Sequence, residues 1–130
     1  MRFMMLYKPG HESNIPPTPE HIAEMGKYID EMARSGVLLA TDGLQSSAKG
    51  SRVRINAGKF TVTDGPFTET KELIAGFAIV QAKSKEEAIE LSKGFLSMMG
   101  EGETEIRLMH DVPAFDASAI EGQGKVAATL

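Results

Sequence analysis

Arg2 to Tyr7 is apolar at every position after Arg2, so a strand here would be covered on both faces, and the run predicts a central β-strand. From Lys8 to Pro19 the chain carries Pro9, Pro16, Pro17 and Pro19 with Gly10, Ser13 and Asn14 among them, which sustains neither helix nor ladder. Thr18-Pro19-Glu20 then reads as an N-cap, a first-turn proline and an acidic residue at the positive helix end. At about 100° per residue, Ile22, Met25, Ile29, Met32 and Ala33 form one apolar stripe, while Glu24, Lys27, Glu31 and Arg34 face away. Gly36 ends the helix, and Val37 to Ala40 predicts a short strand.

Gly43 to Gly50 is small and polar, a connection. Beyond it Arg52, Arg54 and Asn56 alternate with Val53 and Ile55, the two-residue period of a half-buried strand. Ala57-Gly58 marks a hairpin turn and Phe60 to Thr63 the returning strand. Asp64-Gly65-Pro66-Phe67 breaks the pairing, and Thr68 to Glu72 continues as polar loop. Leu73 to Ala82 predicts a second central strand, in which Gly76 marks a bulge or a close backbone approach. Ser84-Lys85-Glu86-Glu87 is a capping box opening a helix with the stripe Ala88, Leu91, Phe95, Met98 and Met99, closed by Gly100-Glu101-Gly102. Thr104 to Met109 alternates as a last strand.

The order β-α-β, hairpin, β-α-β predicts an α+β domain with both helices on one face of a mainly antiparallel sheet. Two central strands are apolar on both sides, so the second sheet face needs cover, and a homodimer through that face is the simplest source. The domain is expected over residues 1 to 112. The rest, residues 113 to 130, is a tail rich in Ala and Gly, with no sustained period.

Composition narrows the function classes. A chain of 130 residues fits one domain, and 42% hydrophobic with 25% charged residues is ordinary globular usage. A net charge of -4 provides no field for phosphate, which argues against nucleic acid. The absence of cysteine excludes disulfides and thiolate chemistry. The opening apolar run is too short for a signal peptide or a membrane span, so the expectation is a cytoplasmic protein without membrane contact.

Among residues that could carry chemistry, His21 lies at the edge of the first helix's stripe with Tyr28 two turns on, both placed to overlook a cavity. Asp64, Glu69 and Glu72, with Lys71 between them, either line a pocket or hold their own loop. Arg52 and Arg54 share a strand face; inward, they would select an anionic group, and outward, which the alternation with Val53 and Ile55 favours, they are solvated. No pair of histidines has helical metal spacing, and no metal or cofactor is expected. Methionine is frequent, eight residues in all, and Met25, Met32, Met98 and Met99 read as adaptable core filling.

The run Asp64-Gly65-Pro66-Phe67-Thr68-Glu69-Thr70-Lys71-Glu72 resembles the signature of the DGPF branch of the YCII-related proteins. Met25-Gly26-Lys27-Tyr28, Gly36-Val37-Leu38, Gly43-Leu44-Gln45 and Glu105-Ile106-Arg107 extend the resemblance. It implies a ferredoxin-like protomer in a dimeric α/β barrel. It also implies a small-molecule-binding protein, as a cofactor-independent acid/base enzyme on a small organic substrate or, alternatively, as a non-enzymatic accessory of an extracytoplasmic-function sigma factor. The group's proposed acid/base pair carries over as His21 near the first helix's start. Its aspartate has no match at Arg34-Ser35-Gly36, which leaves Asp64 as the substitute. Tyr7, Tyr28, Arg52, Arg54, Phe67, Glu69, Lys71 and Glu72 are the pocket candidates.

Overall fold

A computed structural model describes residues 1–11, 16–67 and 72–111. Its elements run β1 (Arg2–Lys8), α1 (Pro19–Arg34), β2 (Leu38–Gly43), β3 (Ser51–Asn56), β4 (Lys59–Asp64), β5 (Gly76–Gln81), α2 (Lys85–Met99) and β6 (Glu103–Leu108), with one 3-10 turn at Ser47–Lys49. The helix ends obey local chemistry. The Thr18 hydroxyl accepts the His21 amide at 3.1 Å, the Ser84 hydroxyl accepts the Glu87 amide at 3.2 Å, and Gly100 closes α2 at φ +84. Among the described residues no helix is long and apolar enough to cross a membrane.

The four-stranded sheet has the order β2-β5-β1-β6, every neighbouring pair antiparallel. β1 and β2 therefore run parallel with β5 between them, and β5 and β6 run parallel with β1 between them. These are two interleaved split β-α-β units, and right-handed crossovers place both helices on one face, the ferredoxin-like arrangement. The core lies between that face and the helices: Phe3 and its cross-strand neighbour Val80 are 2% and 3% exposed, with Met5, Ala82 and Ala88 in the same cluster. Burying a side chain such as Phe3 contributes about 1.5–3 kcal/mol. On the opposite face Met4 stands beside Ile79 and Leu6 beside Phe77, all half-buried in the single chain.

Three expectations are corrected. The strand foreseen over Leu73 to Ala82 begins only at Gly76, because Leu73 to Ala75 crosses the sheet end, where the Ala75 amide donates to the Tyr7 carbonyl. The inward stripe of α1 is His21, Met25, Tyr28, Ile29 and Met32; Ile22 is 57% exposed and Ala33 is exposed. The helix is rolled toward the edge that carries His21 and Tyr28. Val53 and Ile55, expected inward, are exposed, because β3 and β4 form a separate two-stranded sheet that packs on no core among the described residues.

Along β6, Glu105 accepts from Lys8 at 2.8 Å and from Arg107 at 3.0 Å. The Lys8 hydrogen bond is the main cause that lowers the Glu105 carboxyl below its ordinary range and raises Lys8 above its own. A lowered carboxyl adds stability above the unfolded value and loses it as pH falls through the folded one. Wild type is thus expected to melt above Glu105→Gln at neutral pH, the gap closing as pH drops through and below the carboxylate range; a gap constant with pH would contradict the pairing. Gly102 sits at φ +108, and a Cβ there would lie 2.6 Å from the Tyr7 ring. Gly102→Ala is expected to destabilise by about 1–3 kcal/mol in urea unfolding, and an unchanged midpoint would contradict the close approach.

Candidate functional site

Residues of β5 that face the helices are small at the centre: Gly76 and Ala78, before Val80. Gly76 cannot be larger, since a Cβ would fall 2.9 Å from the Asp42 carbonyl on β2. Opposite them α1 presents Met25, Tyr28, Ile29 and Met32, and none of its residues is buried. The helix therefore spans the sheet without filling the layer. A cavity of about 430 Å³ results, completed by Met5 and Tyr7 on β1, Leu38 and Thr41 on β2, and Leu91, Phe95 and Met99 on α2. That volume lies in the range of small-molecule sites, about 300–1,000 Å³.

The polar groups at its rim are mostly engaged. The Tyr7 hydroxyl donates to the Glu101 carbonyl at 3.0 Å, and its ring meets Phe95 edge-on at 5.2 Å. Thr41 donates to the Phe77 carbonyl at 2.8 Å, Thr104 shares a hydrogen bond with the buried Ser92, and Asp42 accepts the Gly43 amide at 2.9 Å. Burial raises both tyrosines above the usual phenol range, with the Glu101 carboxylate adding to the effect at Tyr7. Both stay protonated near neutral pH and act as donors. Among the described lining residues there is no lysine, arginine or histidine.

The Asp64-Gly65-Pro66-Phe67 run is a clamp at the root of the hairpin. The Ser51 hydroxyl donates to the Asp64 carboxylate at 2.6 Å, closing the β3–β4 ladder where Ser51 and Asp64 pair. The Gly65 amide donates to the Gly50 carbonyl at 2.9 Å, and a Cβ on Gly65 would overlap the Ser47 carbonyl group. The Gly65–Pro66 peptide is cis. The Phe67 amide donates to the Ser47 hydroxyl at 3.2 Å, and its ring lies 4.0 Å beneath the Arg52 guanidinium. The clamp thus fastens the 3-10 turn to the hairpin. Beside it lies a more polar hollow of about 700 Å³ with Tyr7, His11, Lys49, Arg52, Phe67 and Glu72 on its walls.

Of the residues singled out from sequence, Tyr7 and Tyr28 line the apolar cavity, while Arg52, Phe67, Glu72 and again Tyr7 line the polar hollow. Arg54 is exposed, matching the solvated reading, whereas Arg52 is half-buried over Phe67. His21 is half-buried in the first turn of α1, on the face of Met25 and Tyr28, and Asp64 stands on the hairpin with Ser51; neither is among the lining residues of the two spaces. Glu69 and Lys71 lie outside the described residues, as does the tail. Met25, Met32 and Met99 line an open space where sequence reasoning had them fill a core, and Met5, Phe95 and Thr41 were not foreseen as lining at all. The available signal was the pairing of a Gly/Ala-rich strand with a Met-rich helix.

A family model described as the YCII-related domain matches residues 1–108. Over 67 residues the chain is 33% identical to an uncharacterized protein of Rhizobium meliloti (strain 1021), a match covering 52% of this chain and 51% of that protein. The chain thus spans about half the length of the curated relative it matches. With the family match running from the first strand through the last, across both helices and the hairpin, the chain belongs to the YCII-related domain family.

Proposed function

We propose that this protein binds a small, mostly apolar organic molecule in the cavity between its helices and its sheet. The observation that carries the reading is the lining: methionines from β1, α1 and α2, together with Tyr7, Tyr28 and Phe95, around about 430 Å³ of space. Methionine and aromatic walls adapt to an irregular apolar guest, and a few polar groups at the rim suffice to orient it. The catalytic form of the proposal adds acid/base chemistry by His21 beside the cavity, needing no cofactor; Asp64, held by Ser51 at the hairpin root, is not bonded to it in the single chain. What supports it is the place of His21 on the inward face of α1, one turn before Met25.

Homodimerisation through the open sheet face belongs to the same proposal. Met4, Leu6, Phe77 and Ile79 form an apolar strip there, flanked by the Lys8, Glu105 and Arg107 charges. The second reading, a non-enzymatic accessory that docks on a protein such as an extracytoplasmic-function sigma factor, is favoured by the hairpin. Its cross-strand pairs Val53 with Val62 and Ile55 with Phe60 make one apolar face, 60% to 74% exposed.

The ligand reading is tested with prodan, a neutral fluorescent naphthalene ketone. Wild type is expected to bind it saturably, and Ala78→Phe, which fills the space from β5, is expected to weaken it at least about tenfold while the fold is retained. Met25→Trp fills the same space from α1 and serves if Ala78→Phe does not fold. Affinity unchanged in a folded filling variant would place the probe elsewhere and overturn the reading. For the dimer, sedimentation at micromolar concentration is expected to give twice the protomer mass, and monomer mass throughout would contradict it. The same runs on Phe60→Ser separate the roles of the two surfaces: a dimer that persists leaves the hairpin face for a different protein, and a lost dimer assigns it to self-association.

A further inference from the structure

Tyr28 differs from every other polar side chain around the cavity. The Tyr7, Thr41, Thr104 and Asp42 side chains are all committed to partners within the protein. The Tyr28 hydroxyl has no hydrogen-bond partner among the described residues. Its ring reaches from α1 toward α2, where the hydroxyl would stand 3.5 Å from a Cβ on Gly94. The hydroxyl keeps contact with solvent, so it is a donor that a guest in the cavity can engage by supplying an acceptor in place of water.

Resting on the reading of the cavity as a ligand site, we propose that the Tyr28 hydroxyl is its specificity determinant, donating to a single carbonyl or ether oxygen on a neutral, otherwise apolar ligand. Neutrality follows from the walls. No lysine, arginine or histidine among the described lining residues could balance a buried anion, and the Asp42 carboxylate at the rim repels one. A ligand cation would have Asp42 alone, which is exposed at the rim, where water screens its charge. Burial holds the phenol protonated through neutral pH, so it keeps its donor.

The test compares three probes sharing one ring system: prodan with its carbonyl, dimethylaminonaphthalene without it, and naphthoate with a carboxylate. Tyr28→Phe removes only the hydroxyl and leaves the ring in place. The variant is expected to bind prodan about three- to tenfold more weakly and to shift its bound emission to the blue, while its affinity for dimethylaminonaphthalene stays within about twofold of wild type. Naphthoate is expected to bind wild type at least about tenfold more weakly than prodan. Prodan affinity and emission unchanged in Tyr28→Phe, or equal weakening of both uncharged probes, would overturn the role of the hydroxyl; naphthoate binding as well as prodan would overturn the neutral class. If wild type binds none of the probes, the cavity reading falls and this inference with it. If Ala78→Phe abolishes binding and Tyr28→Phe changes nothing, the cavity reading stands and only the Tyr28 assignment falls.

Discussion

The small side chains of β5 beneath α1 are the constraint on which the rest depends. Gly76 must pass within 2.9 Å, at an added Cβ, of the β2 backbone, and Ala78 follows on the same face. A pairing that tight holds β5 close against β2, yet it withholds the volume that would normally meet a helix. α1 is capped at its start by Thr18 and joined to the sheet at its end, where the turn at Ser35 and Gly36 leads into β2 and the Gln81 amide donates to the Val37 carbonyl. Its centre bridges the gap and does not settle into it. Interiors close-pack when the surrounding elements can relax, and here the paired strands and the short link to β2 oppose that. The cavity is the consequence of strand geometry and of that link together.

The hairpin obeys a different rule. Two strands alone are marginal in water, and β3 with β4 has no core among the described residues to lie on. Its root is nonetheless fixed, because Asp64 closes onto Ser51 at the start of β3 while Gly65 and Phe67 bind Gly50 and Ser47 of the turn that precedes it. The result is an arm with a secured base and an apolar face turned outward. Such a face on a single chain is the ground of the accessory reading. The sheet's open side, with Met4, Leu6, Phe77 and Ile79, is a second apolar surface and the ground of the proposed dimer.

Much of this was legible in the chain. The Thr18-Pro19 start, the Ser84 capping box, the Ala57-Gly58 turn and the closing Gly100 are local chemistry, and each is where its residues demand. The topology followed from element order. What periodicity could not set was the roll of α1, since a stripe with Ile22 and one with Tyr28 differ by less than a helical turn and only the sheet beneath chooses between them. Nor could alternation tell a strand half-buried in its own domain from one whose apolar side is exposed on the single chain, as with Val53 and Ile55. The cavity was hidden for a third reason. A methionine beside packed neighbours and a methionine beside empty space have the same sequence signature, and the difference lies in Gly76 and Ala78, on another element far along the chain.

The methionines themselves offer the most direct examination of the cavity as a binding site. Met5, Met25, Met32 and Met99 line it, whereas Met4 lies on the open sheet face and Met1 and Met109 lie at strand ends. With carbon-13 in the methionine methyl groups, a titration with prodan reads all of these positions at once by nuclear magnetic resonance. The account expects saturable shifts at Met5, Met25, Met32 and Met99, with Met1, Met4 and Met109 unmoved. Shifts confined to Met4 or Met109, or none at any position while prodan is bound, would contradict it.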